Sequence, residues 1–321
     1  MTWQDHLIQN LKINGEIFNI ENIMDNNLNQ NPQILIIGAS GRVGKEIFKI
    51  LKNKDSVYDV FGTYYNNKIA GLDHLDITDK SAIEKIFKKI KPSILIHTAG
   101  LIYPIQCEEN HELAWDVNVN STKNLVECCK EYNCKLIFIS TDYVFDGTDN
   151  LYDEYHSTNP LNFYGKTKVE SEKIILELND YLIIRTAWVN DFHENSKCFV
   201  MQVINSLKNK KFFNAASDQF GHPTLSINLA EIMSELIDKK STGIFHVTGS
   251  TYISRFDFAK KIAEAFSLDP NLIHEISTTE LNQSIRRPLQ VKLNLNKIKS
   301  QISIKILSLD EQLDIMKNLA N

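Results

Sequence analysis

The sequence predicts an α/β protein: a doubly wound parallel sheet carrying a small C-terminal lobe for substrate. Three observations predict it. Short β-branched runs alternate with amphipathic stretches from Gln33 onward, the pattern of βαβ units. The first run ends in Gly38-Ala39-Ser40-Gly41-Arg42-Val43-Gly44, with a helical pattern starting at once. No repeat or low-complexity linker divides the chain.

Strands are expected at residues 33–38, 58–64, 93–97, 135–140, 181–185 and 243–247, each a short run rich in Ile, Leu and Val. Helices are expected at 44–53, 80–90, 112–132, 163–177, 199–207, 227–239 and 256–266, where apolar residues recur at helical spacing. Residues 1–30 stand outside this scheme as an N-terminal extension. In it Trp3, Leu7 and Leu11 have the spacing of a short amphipathic helix. Residues 31–185 form the expected dinucleotide-binding domain, regained at about 222–248. The expected substrate lobe is discontinuous, from 186–221 and 249–321.

Bulk composition narrows the class of function. Of 321 residues, 43% are hydrophobic and 23% charged, as in a globular enzyme. The net charge of −5 argues against nucleic acid as a partner, because an acidic surface repels phosphate backbones. The apolar runs fall far short of the roughly 20 residues that cross a bilayer, so no membrane partner is expected. The acidic, Asn-rich start lacks the basic and apolar regions of a secretory signal, so the expected location is the cytoplasm. Cys128, Cys129 and Cys134 cluster without paired ligand sets and read as reduced structural thiols; no metal site is expected. His97, His111, His193 and His222, and the lysine-rich run 208–211, have no partner pattern and receive no role.

The glycine turn has the spacing G-x-x-G-x-x-G between a strand and a helix, which lets backbone N–H groups approach a pyrophosphate at a helix N-terminus. Gly38, Ser40, Gly41, Arg42, Val43 and Gly44 are therefore candidate cofactor contacts. The second strand ends in Thr63-Tyr64-Tyr65-Asn66-Asn67 and lacks the acid that holds the ribose in NAD sites. Arg42 stands ready for a 2′-phosphate instead. The expected cofactor is NADPH, with NADH the alternative. Asp76 and Ile77 are placed near the adenine, and Thr98, Ala99 and Gly100 near the nicotinamide ribose.

Tyr164 and Lys168 stand four apart at the start of a predicted helix and share one face. A free phenol titrates near 10, about three pH units too high for easy proton transfer, and an adjacent ammonium lowers it. Lys168 is thus expected to tune Tyr164. Thr141 follows a strand at the sheet edge where open α/β sheets bind ligands, and is the natural donor to a substrate carbonyl. The bland alternative for Thr141-Asp142 is an ordinary Ser/Thr or Asx turn.

These residues resemble the dTDP-4-dehydrorhamnose reductase family, within the extended short-chain dehydrogenases of Rossmann-like fold. The resemblance rests on Ser140-Thr141-Asp142-Tyr143-Val144-Phe145-Asp146-Gly147, Tyr164-Gly165-Lys166-Thr167-Lys168, Arg185-Thr186-Ala187-Trp188-Val189, Asp218-Gln219-Phe220-Gly221-His222-Pro223-Thr224 and Arg287-Pro288. It implies NADPH-dependent reduction of the C4 ketone of a deoxy-sugar nucleotide, with Thr141, Tyr164 and Lys168 catalytic. It further implies that Tyr143 and Trp188 line the sugar pocket and that Arg287 sits near the nucleotide diphosphate. By the same resemblance the assembly is a homodimer.

The resemblance also separates neighbouring chemistries. Dehydratases carry Thr-Asp-Glu where this chain has Thr141-Asp142-Tyr143, and epimerases a serine-rich segment, so elimination and simple epimerisation are disfavoured. Three stretches depart from the reductase pattern: Leu101 to Glu109, Asn190 to Asn195, and Gln290-Val291. They surround one pocket and suggest a different sugar. The rival from another class is a non-catalytic, NADP- or sugar-nucleotide-binding regulatory subunit, like that of methionine adenosyltransferase.

Overall fold

A computed structural model describes residues 11–13, 16–18, 31–54, 57–281 and 284–320. Its centre is a seven-stranded sheet. Strands β1 (Gln33–Ile37), β2 (Asp59–Tyr64), β3 (Asp73–His74), β4 (Ile94–His97), β5 (Lys135–Thr141), β6 (Tyr181–Thr186) and β7 (Gly243–His246) lie in the order β3-β2-β1-β4-β5-β6-β7, every pair parallel. The order reverses between β1 and β4, which opens a crevice at their C-terminal ends.

Both faces of this sheet are covered, and the strands show it in their residues. Along β1, Ile34 and Ile36 face one core while Leu35 and Ile37 face the other. The first core takes Ile47 and Leu51 of helix α1 (Arg42–Lys52) and, from the helix Ser226–Asp238, Leu229, Met233 and Leu236. The second takes Ile83 and Phe87 from Lys80–Ile90 and Leu125 and Cys129 from Ser121–Tyr132. The five cysteines are free and buried, with Cys128, Cys129 and Cys134 packed in that second core.

A separate core builds the lobe. Val200, Met201 and Ile204 of the helix Phe199–Lys208 pack on Phe258 and Ile262 of Arg255–Ala265 and on Leu313 and Met316 of Leu309–Ala320. Not all of the chain beyond residue 249 belongs to this lobe. Leu295 and Ile298 are in the first core of the main sheet, with Ile302, Ile304 and Ile306 packed against it.

Two elements differ from their sequence patterns. The stretch 112–132 is not one helix: His111–Trp115 and Ser121–Tyr132 are joined by a wide turn of π-helix, Asp116–Asn120. Within that turn Asn118 is buried and bonds across to the Leu101 backbone. Leu11, expected in a helix, lies in a strand: Leu11–Ile13 pairs antiparallel with Glu16–Phe18. The intervening sequence Asn14-Gly15 is the pair most favoured in two-residue hairpin loops. Trp3 and Leu7 lie outside the described residues.

A buried ion pair fixes the helix Phe163–Ile175 to the sheet. Arg185 at the end of β6 meets Glu172 through both carboxylate oxygens, at 2.7 and 3.1 Å, and each side chain is only 4% exposed. Ser140 also donates to Glu172, and the Arg185 guanidinium covers the Phe145 ring at 5.1 Å. Removing one partner strands a buried charge. Arg185→Met is expected to cost about 3–5 kcal/mol in urea unfolding, while Arg185→Met with Glu172→Leu recovers most of the loss. Equal destabilisation of the single and double variants would show that shape, not charge, holds this contact.

Candidate active site

A cavity of about 780 Å3 runs along the crevice at the C-terminal ends of the strands. Its near end is the glycine turn. Gly38 has φ +85°, a conformation that side chains rarely adopt, and a Cβ there would lie 2.8 Å from the Ala99 nitrogen. A Cβ on Gly44 would lie 2.1 Å from the Gly38 carbonyl oxygen, so only glycine lets α1 begin this close to β1. The Thr98 hydroxyl fastens the turn by donating to the carbonyls of Ile37 and Gly38. Of the residues expected to hold a dinucleotide, Gly38, Ser40, Gly41, Arg42 and Val43 line the near wall, and Asp76, Ile77, Thr98, Ala99 and Gly100 the next part. Gly44 lies behind them. The cavity's size, the glycine-only approach and the exposed start of α1 fit a dinucleotide.

Arg42 lines this wall with its guanidinium already engaged by the protein. Nε donates to Asp191 at 2.9 Å and Nη1 to the Val189 carbonyl at 3.2 Å. Asp191, whose side chain is 4% exposed, draws it there and also meets Lys45 at 3.3 Å, His193 at 3.1 Å and the Ser196 hydroxyl. Burial alone would raise this carboxyl. The Ser196 hydrogen bond and the charges of Arg42, Lys45 and His193 outweigh burial and hold it below its ordinary range. Asp191 therefore ties the phosphate-side helix to the loop that enters the lobe.

At the middle of the cavity the structure brings together Thr141, Tyr164 and Lys168. Thr141 ends β5; its hydroxyl donates to Asp142 at 3.0 Å and accepts from the Tyr143 N–H. Tyr164 is carried by the first turn of Phe163–Ile175, which is capped by the Asn162 side chain accepting from the Gly165 N–H at 2.9 Å. A Cβ on Gly165 would lie 2.3 Å from the Tyr143 carbonyl oxygen, so this glycine lets the helix seat on the turn after β5. Asn118 supports the opposite side, donating to Leu101 and to the Thr167 hydroxyl.

The electrostatics of the pair depart from the expectation drawn from spacing. Burial, reinforced by Asp142 and Cys107 and opposed by the Thr141 hydrogen bond, pushes the Tyr164 phenol above its usual range. The net direction is upward even with Lys168 four residues along the same helix. The Lys168 ammonium instead lies 3.7 Å from the centre of the Phe138 ring, and burial brings it down to about 7, against the pull of Glu172 and Cys107. Tyr164 is thus held protonated at neutral pH, while Lys168 is poised to titrate there. Asp142, also buried, is pushed up to about 6, with Thr141 and Arg255 acting against burial.

The far end of the cavity is aromatic and basic. Tyr143 meets Tyr164 edge-on at 5.9 Å, and its hydroxyl accepts from Arg287 Nη1 at 2.8 Å. Trp188, at φ +40°, lies over the edge of Gly221, where a Cβ would come within 2.5 Å of the indole. Beyond it a second cavity of about 360 Å3 opens into the lobe, lined by Asn190, Phe199, Phe213, Gln219, Arg255 and Leu281 among others. Three residues here and nearby were not singled out by sequence pattern: Asn118, Asp191 and Arg255. Asn118 sits inside a predicted helix and Arg255 at the edge of another, so only contacts across the fold reveal them. Asp191 lay in a stretch that departs from the reductase pattern, and that departure was its signal.

Comparison with known proteins places this geometry. Residues 32–320 match the family model described as the RmlD substrate binding domain. A dTDP-4-dehydrorhamnose reductase of Aggregatibacter actinomycetemcomitans is 30% identical over 85% of this chain and 94% of its own. Methionine adenosyltransferase 2 subunit beta of Xenopus laevis is 28% identical over 87% of this chain and 85% of its own. Among solved structures, the dTDP-4-dehydrorhamnose reductase of Bacillus anthracis in complex with NADP superposes with a TM-score of 0.82 at 30% identity, covering 91% of this chain and all of that one.

The Asp191 cluster predicts a pH dependence. A carboxyl held below its ordinary value contributes stability above the unfolded pKa of about 3.9 and loses it as pH falls through the lower, folded value. Asp191→Asn is therefore expected to melt below the unsubstituted protein at pH 7, and the difference between the two should shrink as pH falls below the unfolded value of about 3.9. A constant difference from pH 7 to 3 would remove the carboxylate's charge from the explanation.

Proposed function

We propose that this chain, which belongs to the RmlD substrate binding domain family, reduces the 4-keto group of a deoxy-sugar nucleotide with NADPH. The observation that carries this reading is the meeting of Thr141, Tyr164 and Lys168 midway along one cavity, between the glycine turn and the basic, aromatic end. NADPH, bound along the glycine turn, supplies the hydride. Its preference over NADH rests on the end of β2, Thr63-Tyr64-Tyr65-Asn66-Asn67, which offers no carboxylate to repel a 2′-phosphate. The Bacillus anthracis relative is seen with NADP. Arg42 contributes here by bracing the turn through Asp191.

The chain's own residues divide the remaining work. Thr141 turns its hydroxyl from Asp142 to the ketone oxygen and positions it. Tyr164, kept protonated by its burial, delivers the phenolic proton to the same oxygen as it becomes an alkoxide. Lys168 offers a nearby positive charge that steadies the phenolate left behind, and would hold the nicotinamide ribose. Tyr143 and Trp188 shape the sugar site, and Arg287 addresses the diphosphate. The lobe of residues 186–221 and 249–321, less the part packed on the main sheet, carries the nucleotide.

The second reading, a non-catalytic dinucleotide-binding subunit, is favoured by the similarity to the methionine adenosyltransferase beta subunit. Turnover separates the two. Oxidation of NADPH at 340 nm is followed with 4-keto-6-deoxy sugar nucleotides of different bases. Tyr164→Phe is expected to lower kcat by about 100-fold or more while NADPH affinity stays within a few fold. Tight NADPH binding without oxidation on any of these sugars would establish the regulatory reading. In the free enzyme, kcat/KM is expected to fall as pH rises through about 7, where Lys168 loses its proton. A profile flat to pH 9 would exclude Lys168 as the titrating group.

A further inference from the structure

Arg255 has the surroundings of a cation built to meet an anion that the protein does not itself supply. It is the first residue of the helix Arg255–Ala265, where the macrodipole disfavours positive charge. Among the described residues its guanidinium forms no ion pair, in contrast to Arg42 on Asp191 and Arg185 on Glu172. Arg287 is close enough to repel it. Burial, the larger effect, and that repulsion together bring Arg255 down to about 10, against the attraction of Tyr143 and Asp142, so it stays charged at neutral pH. The Asp142 carboxylate already accepts the Thr141 hydroxyl.

The group is nevertheless held firmly. Its guanidinium carbon lies 3.5 Å from the centre of the Trp188 ring and 4.7 Å from that of Phe199. Trp188 in turn stacks on Phe258 and occupies a left-handed backbone conformation that a bulky side chain adopts at a cost. Its carbonyl is fastened by the Thr224 N–H and the Asn190 amide. A strained tryptophan, a cation at the wrong end of a helix and a repelling neighbour are three local costs. A bound anion would offset the last two and give the first a purpose.

Position identifies the anion. Arg42, Trp188, Val189, Arg255 and Arg287 line both the main cavity and the second one, so three guanidinium groups stand where the two meet. Arg42 is committed to Asp191. Arg287 donates Nη1 to Tyr143, and its buried Nε has no partner among the described residues. A nucleoside diphosphate sugar with its ring beside Tyr164 and its nucleoside in the second cavity places its diphosphate at this junction. We infer that Arg255, stacked on Trp188, is a specificity-determining residue that binds the diphosphate of the sugar nucleotide alongside Arg287. This rests on the sugar-nucleotide reading above.

The test is a binding experiment, independent of turnover. The full chain, saturated with NADPH, is titrated calorimetrically with UDP and dTDP, with the matching monophosphates, and with uridine and thymidine. Arg255→Gln is expected to weaken the preferred diphosphate on the order of 10- to 100-fold, the worth of hydrogen bonds to a charged group. It should leave the nucleoside and NADPH affinities within about twofold, since neither draws on this charge. Arg255→Lys, which keeps the charge but not the planar fork, should fall between, and serves as the test if Arg255→Gln does not fold. Unchanged diphosphate affinity in Arg255→Gln, with the unsubstituted protein binding well, overturns this inference alone. An equal loss for nucleoside and diphosphate also overturns it, by reducing Arg255 to a support for Trp188. Failure of the unsubstituted protein to bind either diphosphate would overturn the sugar-nucleotide reading with it.

Discussion

The buried pair of Glu172 and Arg185 is the interaction on which the placement of the site depends. One partner comes from the helix that carries Tyr164 and Lys168, the other from the strand beside the one that ends in Thr141. Ser140 joins the same carboxylate from the residue before Thr141. Helix, β5 and β6 are therefore registered against each other by charge-assisted hydrogen bonds in a dry interior, where misalignment would leave an uncompensated charge. Gly165 completes the constraint, since any Cβ there would push the helix off the Tyr143 carbonyl. A pair four residues apart on a helix comes to line this cavity only because the helix is held at this depth.

Two kinds of basic residue border the cavity, and the difference between them organises it. Arg42 on the glycine-turn wall, like Lys45 outside the cavity lining, is paired with Asp191, a structural use that braces α1 against the lobe entrance. Arg255 and Arg287 on the lobe side form no ion pairs among the described residues and are held by aromatic groups, Trp188 and Tyr143. Charge that is already paired stabilises the fold. Charge left unpaired in a cavity is available to a ligand.

Much of this was legible in the sequence. The alternation of apolar runs and amphipathic stretches placed the six longer sheet strands, because strands buried on both faces are made of continuous β-branched residues. The glycine spacing, read between a strand and a helix, led to the near wall of the cavity. The break at Asp116–Asn120 was not legible, since helical periodicity carries no sign of the bond from Asn118 to Leu101. The Leu11 strand was not legible for a different reason: Trp3, Leu7 and Leu11 share helical spacing, and a three-residue strand is too short for period-two alternation to stand against it.

The sequence by itself determined the fold class and the position of the glycine turn, and it offered Thr141, Tyr164 and Lys168 as candidates, because these follow from local periodicity and short motifs. Only the tertiary structure decided how each charge behaves. Spacing set Lys168 beside Tyr164 and suggested a lowered phenol. Folding buries both, lays the ammonium on Phe138 and leaves the phenol protonated. Spacing likewise offered Arg42 to a phosphate, while folding brings it to Asp191, 149 residues away, and leaves Arg255 facing the cavity instead. Desolvation and Coulomb energy depend on depth and on distance in space, and neither is written in the order of residues along a chain.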